Sequence, residues 1–410
     1  MGIKSRLILL NFLEFFILGS WLISIGNYLG GTLHFTGLQI GGVFSSLGIA
    51  SLFMPTVMGI IADKWINAEK VFSLCHITGS VLLFFASTIS DPSIFFWVML
   101  LNSMFYMPTI ALNNSVSYII LEQKGFDIVK DFPRIRVWGT VGFIAAMWIV
   151  DIFGWISTNR QLIFSSAAAF SLGIYALTLP KCPPSKSVKS DSFFSLIGFD
   201  AFVLFKQHKM FVFFLFAMLL GAALQITNAF GGSFLESFKA IFPDSFAVKH
   251  SNLLLSISQI SETLFILSIP FFLSRFGIKK VILISIFAWV FRFGLFAFGN
   301  PGDGWFLLVL SMIIYGMAFD FFCISGSLFV EKETPPNIRS SSQGLFMLMT
   351  NGMGAMIGGY CSGLVVDYFT TNGNRDWQSI WLTFAGYALV LGIIFPIVFK
   401  FKHADSAIEK

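Results

Sequence analysis

The chain has 410 residues, 56% of them hydrophobic and only 11% charged, with 52 phenylalanines and a formal net charge of +5. A soluble domain carries about 25% charged residues, so this composition excludes an ordinary water-soluble globule and places the chain in lipid. The net charge is no evidence for nucleic acid, because the basic residues gather on one side of the predicted segments.

A helix needs ~20 apolar residues to cross ~30 Å of hydrocarbon, and such runs recur along the whole length. They predict twelve membrane-spanning helices at 7–29, 40–62, 70–89, 93–120, 134–156, 160–180, 208–232, 250–273, 279–299, 304–330, 341–367 and 377–399. Barrel strands would read as ~10-residue stretches of alternating polarity, which these runs do not show, so the predicted class is an all-α integral membrane protein. The first run exceeds the about 7 to 15 apolar residues of a signal peptide and lacks a small-residue cleavage site, so it is expected to stay as helix 1. The start MGIKSR has Arg6 where a myristoylation signal has Ser or Thr. With an inside N-terminus, most of the 26 basic residues fall on the cytoplasmic side, including Lys4, Arg6, Lys64, Lys124, Lys186, Lys189, Lys279, Lys402 and Lys410. The opposite side holds Arg160, Lys239, Lys249 and Arg375. This bias predicts that both termini are cytoplasmic.

Polar groups inside the runs come next, in chain order. Glu14 on helix 1 is expected to pair with Lys4 and Arg6 near the inner surface. Helix 2 ends in the loop GIIADKWINAEK at 59–70. On helix 5, Arg136, Thr140 and Phe143 of RVWGTVGF lie within about 60° of one another at 100° per residue. Arg136 follows Pro133 by one turn, close enough to the inner face that its head could also reach water. The polar connector KCPPSKSVKSDS at 181–192 divides the chain into residues 1–180, a linker at 181–207, and residues 208–410. Gln225 and Asn228 on helix 7, and Gln259 and Glu262 on helix 8, pair at i, i+3; Tyr315 and Phe319 on helix 10 pair at i, i+4. Arg292 on helix 9 is expected to be a structural partner for an acid. Asp320 lies about 140° around its helix from Tyr315 and should face a neighbouring helix. On helix 11 the pairs Gly354/Gly358 and Gly359/Gly363 permit close helix contact. Cys75, Cys182, Cys323 and Cys361 lack metal or disulfide spacing and read as packing residues, so no cofactor or metal is expected.

Glu262 is the most informative of these positions. A carboxylate at mid-membrane costs about 2.5 to 3.5 kcal/mol on insertion scales and by default marks function. With the clusters around it, the set suits a solute with a flat ring and several hydrogen-bonding groups, such as a nucleoside. Phe143, Tyr315 and Phe319 can stack on a base, the three amides donate and accept, Glu262 can accept from a ribose diol, and Arg136 offers a fork of donors. A carboxyl whose surroundings alternate between wet and dry can take up and release a proton, which makes Glu262 the first candidate for coupling. A symporter for a sugar or another small polar solute, and a membrane sensor that binds nucleoside without moving it, remain open alternatives. The chain has no HExxH, GxSxG, GxxxxGK[ST] or GxGxxG motif, so an enzyme is not expected.

The loop PFFLSRFGIKK at 270–280 repeats the 59–70 loop about half a chain later, as expected of two parallel repeats with a site between them. The first copy resembles the signature G-x-x-x-D-R-x-G-R-[RK] of the major facilitator superfamily. Gly59 and Asp63 match, Lys64 matches loosely, and Ile66 departs where the second glycine would stand. The second copy keeps Arg275, Gly277, Lys279 and Lys280 without the acid. Beyond the loop, DFPRIRVWGTVGF, LLGAALQITNAFGGSF, SISQISETLFILSIPFFLSRFGIK, YGMAFDFFCISGSLFVEKE and FMLMTNGMG resemble segments of the bacterial nucleoside:proton symporters in that superfamily.

The resemblance implies the major facilitator fold, twelve helices in two pseudo-symmetric six-helix bundles. It implies import of purine and pyrimidine nucleosides (uridine, adenosine, cytidine or inosine-like) with protons, by alternating access, across a bacterial inner membrane. It places the nucleoside site on Arg136, Thr140, Phe143, Gln225, Asn228, Gln259, Glu262, Tyr315 and Phe319. Asp320 is the second proton candidate and is expected to influence switching. Asp63 is expected to act as a gate by capping a neighbouring helix N-terminus. A monomer is expected, with the bilayer, nucleosides and protons as partners.

Overall fold

The computed structural model describes residues 2–184, 199–335 and 338–400. Linker residues 185–198, with Lys186 and Lys189, and the tail with Lys402 and Lys410 lie outside the described residues.

The first expected span is interrupted. Helix α1 (Ile3–Gly19) ends where Ser20 turns its hydroxyl back to Phe16 O at 2.7 Å, and the chain resumes as short helical turns at Ile25–Asn27 and Tyr28–Thr32. The break brings Gly26 against the backbone of Ala229, where a side chain would not fit. Thr36 and Gln39 form a reciprocal capping box that starts α2 (Gly37–Ser51), which continues after a break as Met54–Lys64 with Pro55 in its first turn. There follow α3 (Ala68–Ala86), α4 (Pro92–Gln123), α5 (Ile128–Ile152) and α6 (Arg160–Ala176). Asp91 and Asp127 cap α4 and α5, supplying oxygens to otherwise orphaned first-turn amides. Residues 199–206, which the sequence places in the linker, form a short helical turn packed against the next helix, α7 (His208–Ser237).

Ser251–Phe298 is a 48-residue helical run. Unbroken it would measure ~72 Å, more than twice the hydrocarbon thickness. Gly277, at φ 72°, breaks it into α8 (251–276) and α9 (278–298). Glycine suits that left-handed position because it has no Cβ to clash. The two predicted spans are therefore joined by one residue rather than by a loop. Next come α10 (Trp305–Glu333), α11 and α12 (Trp377–Val398). Helix α11 runs through Arg339–Met347, a π-helical stretch at Leu348–Gly354, and Ala355–Tyr368. Strands β1 (Thr370–Thr371) and β2 (Asn374–Arg375) make a small hairpin before α12, turned at Asn372 and Gly373.

Among the described residues eight helical segments are long and apolar enough to cross a membrane. Helices α1 and α6 have 17 residues each, and α11 is interrupted. Large apolar side chains such as Trp97, Leu267, Phe291, Phe306 and Ile397 face outward, as a lipid-covered surface requires and water would not tolerate in such number. Cys75 and Cys182 are buried as expected of packing residues, whereas Cys361 is exposed and corrects that reading for its position.

Helix α1 packs on α5, α3 on α4 and α6, α9 on α12, and α7 on α11. The groups α1–α6 and α7–α12 meet chiefly through α2 with α11, α5 with α8, and α7 with the turn after α1. The glycine pairs of α11 work on two faces. Gly354 and Gly358 lie against the α7 backbone at Met218 and Ala222, and Gly359 and Gly363 lie against α2 at Gly41 and Gly37. These contacts lie at mid-depth and toward the end opposite the chain termini, called here the far end. At the other end, residues 54–64 of α2 pack on α3 and α4, and residues 339–347 of α11 pack on α10, each within its own group.

Candidate solute-binding site

Helix α5 presents Arg136, Thr140 and Phe143. The Arg136 guanidinium lies over the Phe15 ring of α1, 4.0 Å from its centroid, instead of extending to water. Gly139, one turn on, leaves the space into which both groups fold. The charged neighbours of Arg136 are Glu14 and, from the opposite group, Glu262. Glu262 on α8 is half-buried and lies within electrostatic range of Arg136 of α5 and of Tyr315 and Asp320 of α10. Tyr315 stacks on Phe319 with centroids 5.9 Å apart and planes 6° from parallel. Helices α5, α8 and α10 thus bring together Arg136, Glu262, Tyr315, Phe319 and Asp320.

The remaining expected residues are placed less directly. Thr140, Asn228 and Gln259 are half-buried, and Phe143 is buried with its backbone against Gly19 of α1. Gln225 is buried with Oε1 unpartnered. Among the described residues no hydrogen bond joins the side chains of Thr140, Gln225, Asn228 or Gln259 to another site residue. Asp320 is buried and its Oδ2 is unpartnered. An unpaired buried carboxyl oxygen is costly unless something compensates.

Asp63 is exposed, and among the described residues its side chain caps no helix. Two sequence expectations are corrected. Among the described residues Arg292 meets no acid. It is buried, its guanidinium lies 4.5 Å from the Tyr315 centroid, and it donates to Ser311 O at 3.0 Å. The cation is held by the ring's negative face and a carbonyl in place of a carboxylate. Glu14 does not pair with Lys4 or Arg6, since Lys4 bonds Asp131 at 2.8 Å and Arg6 bonds Thr178.

Glu14 belongs to a cluster that the sequence reading missed. Wholly buried, it meets His76 Nε2 at 2.8 Å and accepts from Thr109 Oγ1 at 2.6 Å, while its backbone oxygen accepts from Tyr106 OH at 2.9 Å. The available signal was a histidine in mid-run on helix 3. Leaving a buried polar group without its hydrogen-bond partner costs about 1 to 3 kcal/mol. His76→Ala is expected to lower the melting temperature by several degrees, and His76→Gln, which keeps a donor, to recover part of the loss. An unchanged melting temperature for His76→Ala would show that the pair does not hold these helices together.

A cleft of ≈ 1110 Å³ opens at the far end, lined in part by His34, Glu236, Asn300, Arg375 and Trp377. None of the expected site residues lines it.

A mostly helical body with a lipid-facing apolar surface and charged groups gathered between two helix groups fits a membrane transporter of the major facilitator fold. A bacterial homologue of the human lysosomal transporter Spinster shares that fold at TM-score 0.71 and 14% identity, covering 98% of each chain. The profile of the family "Nucleoside H+ symporter" matches residues 1–404, and the chain belongs to that family. It is 55% identical to the xanthosine permease of Escherichia coli (strain K12) over 412 residues, 100% of this chain and 99% of the permease. It is 54% identical to nucleoside permease NupG of the same organism over 406 residues, 98% and 97% of the two chains. The crystal structure of NupG superimposes at TM-score 0.93, with 98% of this chain and 100% of that chain covered.

Proposed function

We propose that the chain imports purine and pyrimidine nucleosides together with protons across a bacterial inner membrane, as a monomer. Residues 1–180 and 208–410 are the two six-helix bundles, twelve crossings in all, and 181–207 is the linker. The observation that carries the reading is that Arg136 of one helix group lies within electrostatic range of Glu262 of the other, with the stacked Tyr315 and Phe319 alongside. In this reading the aromatic pair and Phe143 take the base, while Arg136, Thr140, Gln225, Asn228, Gln259 and Glu262 take the hydrogen-bonding groups. The unpartnered Gln225 Oε1 supports a place for a solute donor. Glu262 carries the proton and Asp320 biases the switch. The termini end is cytoplasmic, in keeping with its basic residues, and Asp63 latches that end when it closes. The exposed Asp63, with contacts gathered at the far end, is then the inward-open state.

Thermal shift over a ligand panel tests the ligand class. Binding to the folded state alone stabilises by about 2.7 kcal/mol at a hundredfold excess over Kd. Uridine, adenosine, cytidine and inosine, with xanthosine alongside them, are expected to raise the melting temperature, and free ribose and free uracil are not. A ribose shift equal to that of uridine would replace the nucleoside by a sugar. Counterflow of radiolabelled uridine in proteoliposomes separates transport from sensing, since a sensor gives a thermal shift and no exchange.

A further inference from the structure

At the far end the two helix groups are tied by the same device used twice. Asp151, in the last turn of α5, is buried and reaches across to α8, where its Oδ2 accepts from Asn252 N at 2.9 Å and Leu253 N at 3.2 Å. Its Oδ1 meets His250 Nδ1 at 2.6 Å. Asp367, in the last turn of α11, reaches the other way to α2, where Oδ1 accepts from Gly37 N at 2.5 Å and Oδ2 from Leu38 N at 2.8 Å. Each carboxylate uses both oxygens on the start of a helix from the opposite group. There the orphaned amides and the helix dipole favour an anion. The two aspartates stand about half the chain apart, on helices that correspond under the internal repeat.

We infer that Asp151 and Asp367 are gating residues, a duplicated latch that closes the far end of the transport path. Both bonds run between groups that must separate there when the path opens to the far side. The contacts beneath them are of a kind that can part. Trp148 Nε1 donates to Ser256 Oγ at 2.9 Å between α5 and α8, and Ser45 Oγ donates to Met356 O at 2.8 Å between α2 and α11. A carboxylate on backbone amides forms a strong, directional bond in the closed state and is readily hydrated in the open one. The inference rests on the transport reading in needing a second, outward-open state, and it adds which groups hold that state back.

The test uses Ser256, buried just beneath the Asp151 latch, as a reporter. In a chain with its four native cysteines changed to alanine, Ser256→Cys is labelled with a membrane-impermeant maleimide in spheroplasts. Asp151→Ala and Asp367→Ala are each expected to raise the labelling rate severalfold, and together by about tenfold or more. The uridine-induced thermal shift should persist, because neither aspartate is near the proposed site. If the double alanine variant folds poorly, Asp151→Asn with Asp367→Asn, which keeps volume and one acceptor oxygen, should shift the rate in the same direction. Labelling at the parent rate in a folded double variant overturns the latch, even if the variant melts lower, since a purely structural cap would cost stability without opening the path. Loss of the thermal shift in the parent chain would instead count against the nucleoside reading.

Discussion

Glu262→Gln is expected to abolish proton-driven nucleoside accumulation while uridine counterflow without a gradient continues. Glutamine keeps the length and the acceptor oxygen of the side chain but cannot gain or lose a proton at neutral pH. One proton moving down ~100 mV supplies about 2.3 kcal/mol, which corresponds to roughly fifty-fold accumulation of a neutral solute. The variant should therefore fall from about fiftyfold to no accumulation in proteoliposomes with an imposed gradient. The reason lies in where Glu262 sits. It is half-buried and within electrostatic range of Arg136 of one bundle and of Tyr315 and Asp320 of its own, so its surroundings change whenever the bundles rock against each other. Gradient-driven accumulation that survives in Glu262→Gln would move the proton elsewhere. Asp320, with its unpartnered Oδ2, would be next to test.

What the sequence made legible follows from where the constraint is local. A bilayer forces each crossing segment to be apolar along its own length, so the order of helices could be read directly. Intramembrane charge is expensive at any single position, which is why Glu262 and Arg136 stood out without knowledge of their neighbours. Partners are a different matter. Nearness in sequence pairs Glu14 with Lys4 and Arg6, yet it bonds His76 and Thr109 on α3 and α4. A buried guanidinium suggests an acid as the partner of Arg292, which lies over the Tyr315 ring. Periodicity gives the face a residue occupies and not the helix that covers that face. The same limit hid Asp151 and Asp367, which look like ordinary helix-end aspartates until α8 and α2 are set beside them. Gly277 could be read as part of a repeated loop, but its positive φ, which makes that loop a single residue, is set by backbone geometry.

Arg136→Ala is expected to reduce nucleoside transport by about 100-fold, the scale of a buried charged hydrogen-bonding group lost from a binding site. Arg136→Lys should recover only a small part. Lysine keeps the charge, but it lacks the planar face that lies on Phe15 and the fork that can meet two acceptors at once. The more telling measurement is the double variant with Glu262→Gln, assayed by counterflow, which does not depend on the proton gradient. If Arg136 acts by holding the Glu262 charge in place across the bundle interface, its removal should cost much less once that charge is gone, and the two losses will not add. If it acts on the solute directly, the losses will be close to additive, since each residue then removes its own bond. Because Arg136 is also within the field of Glu14, a strongly non-additive result would tie the buried Glu14 cluster of the first bundle, through one guanidinium, to the carboxylate of the second.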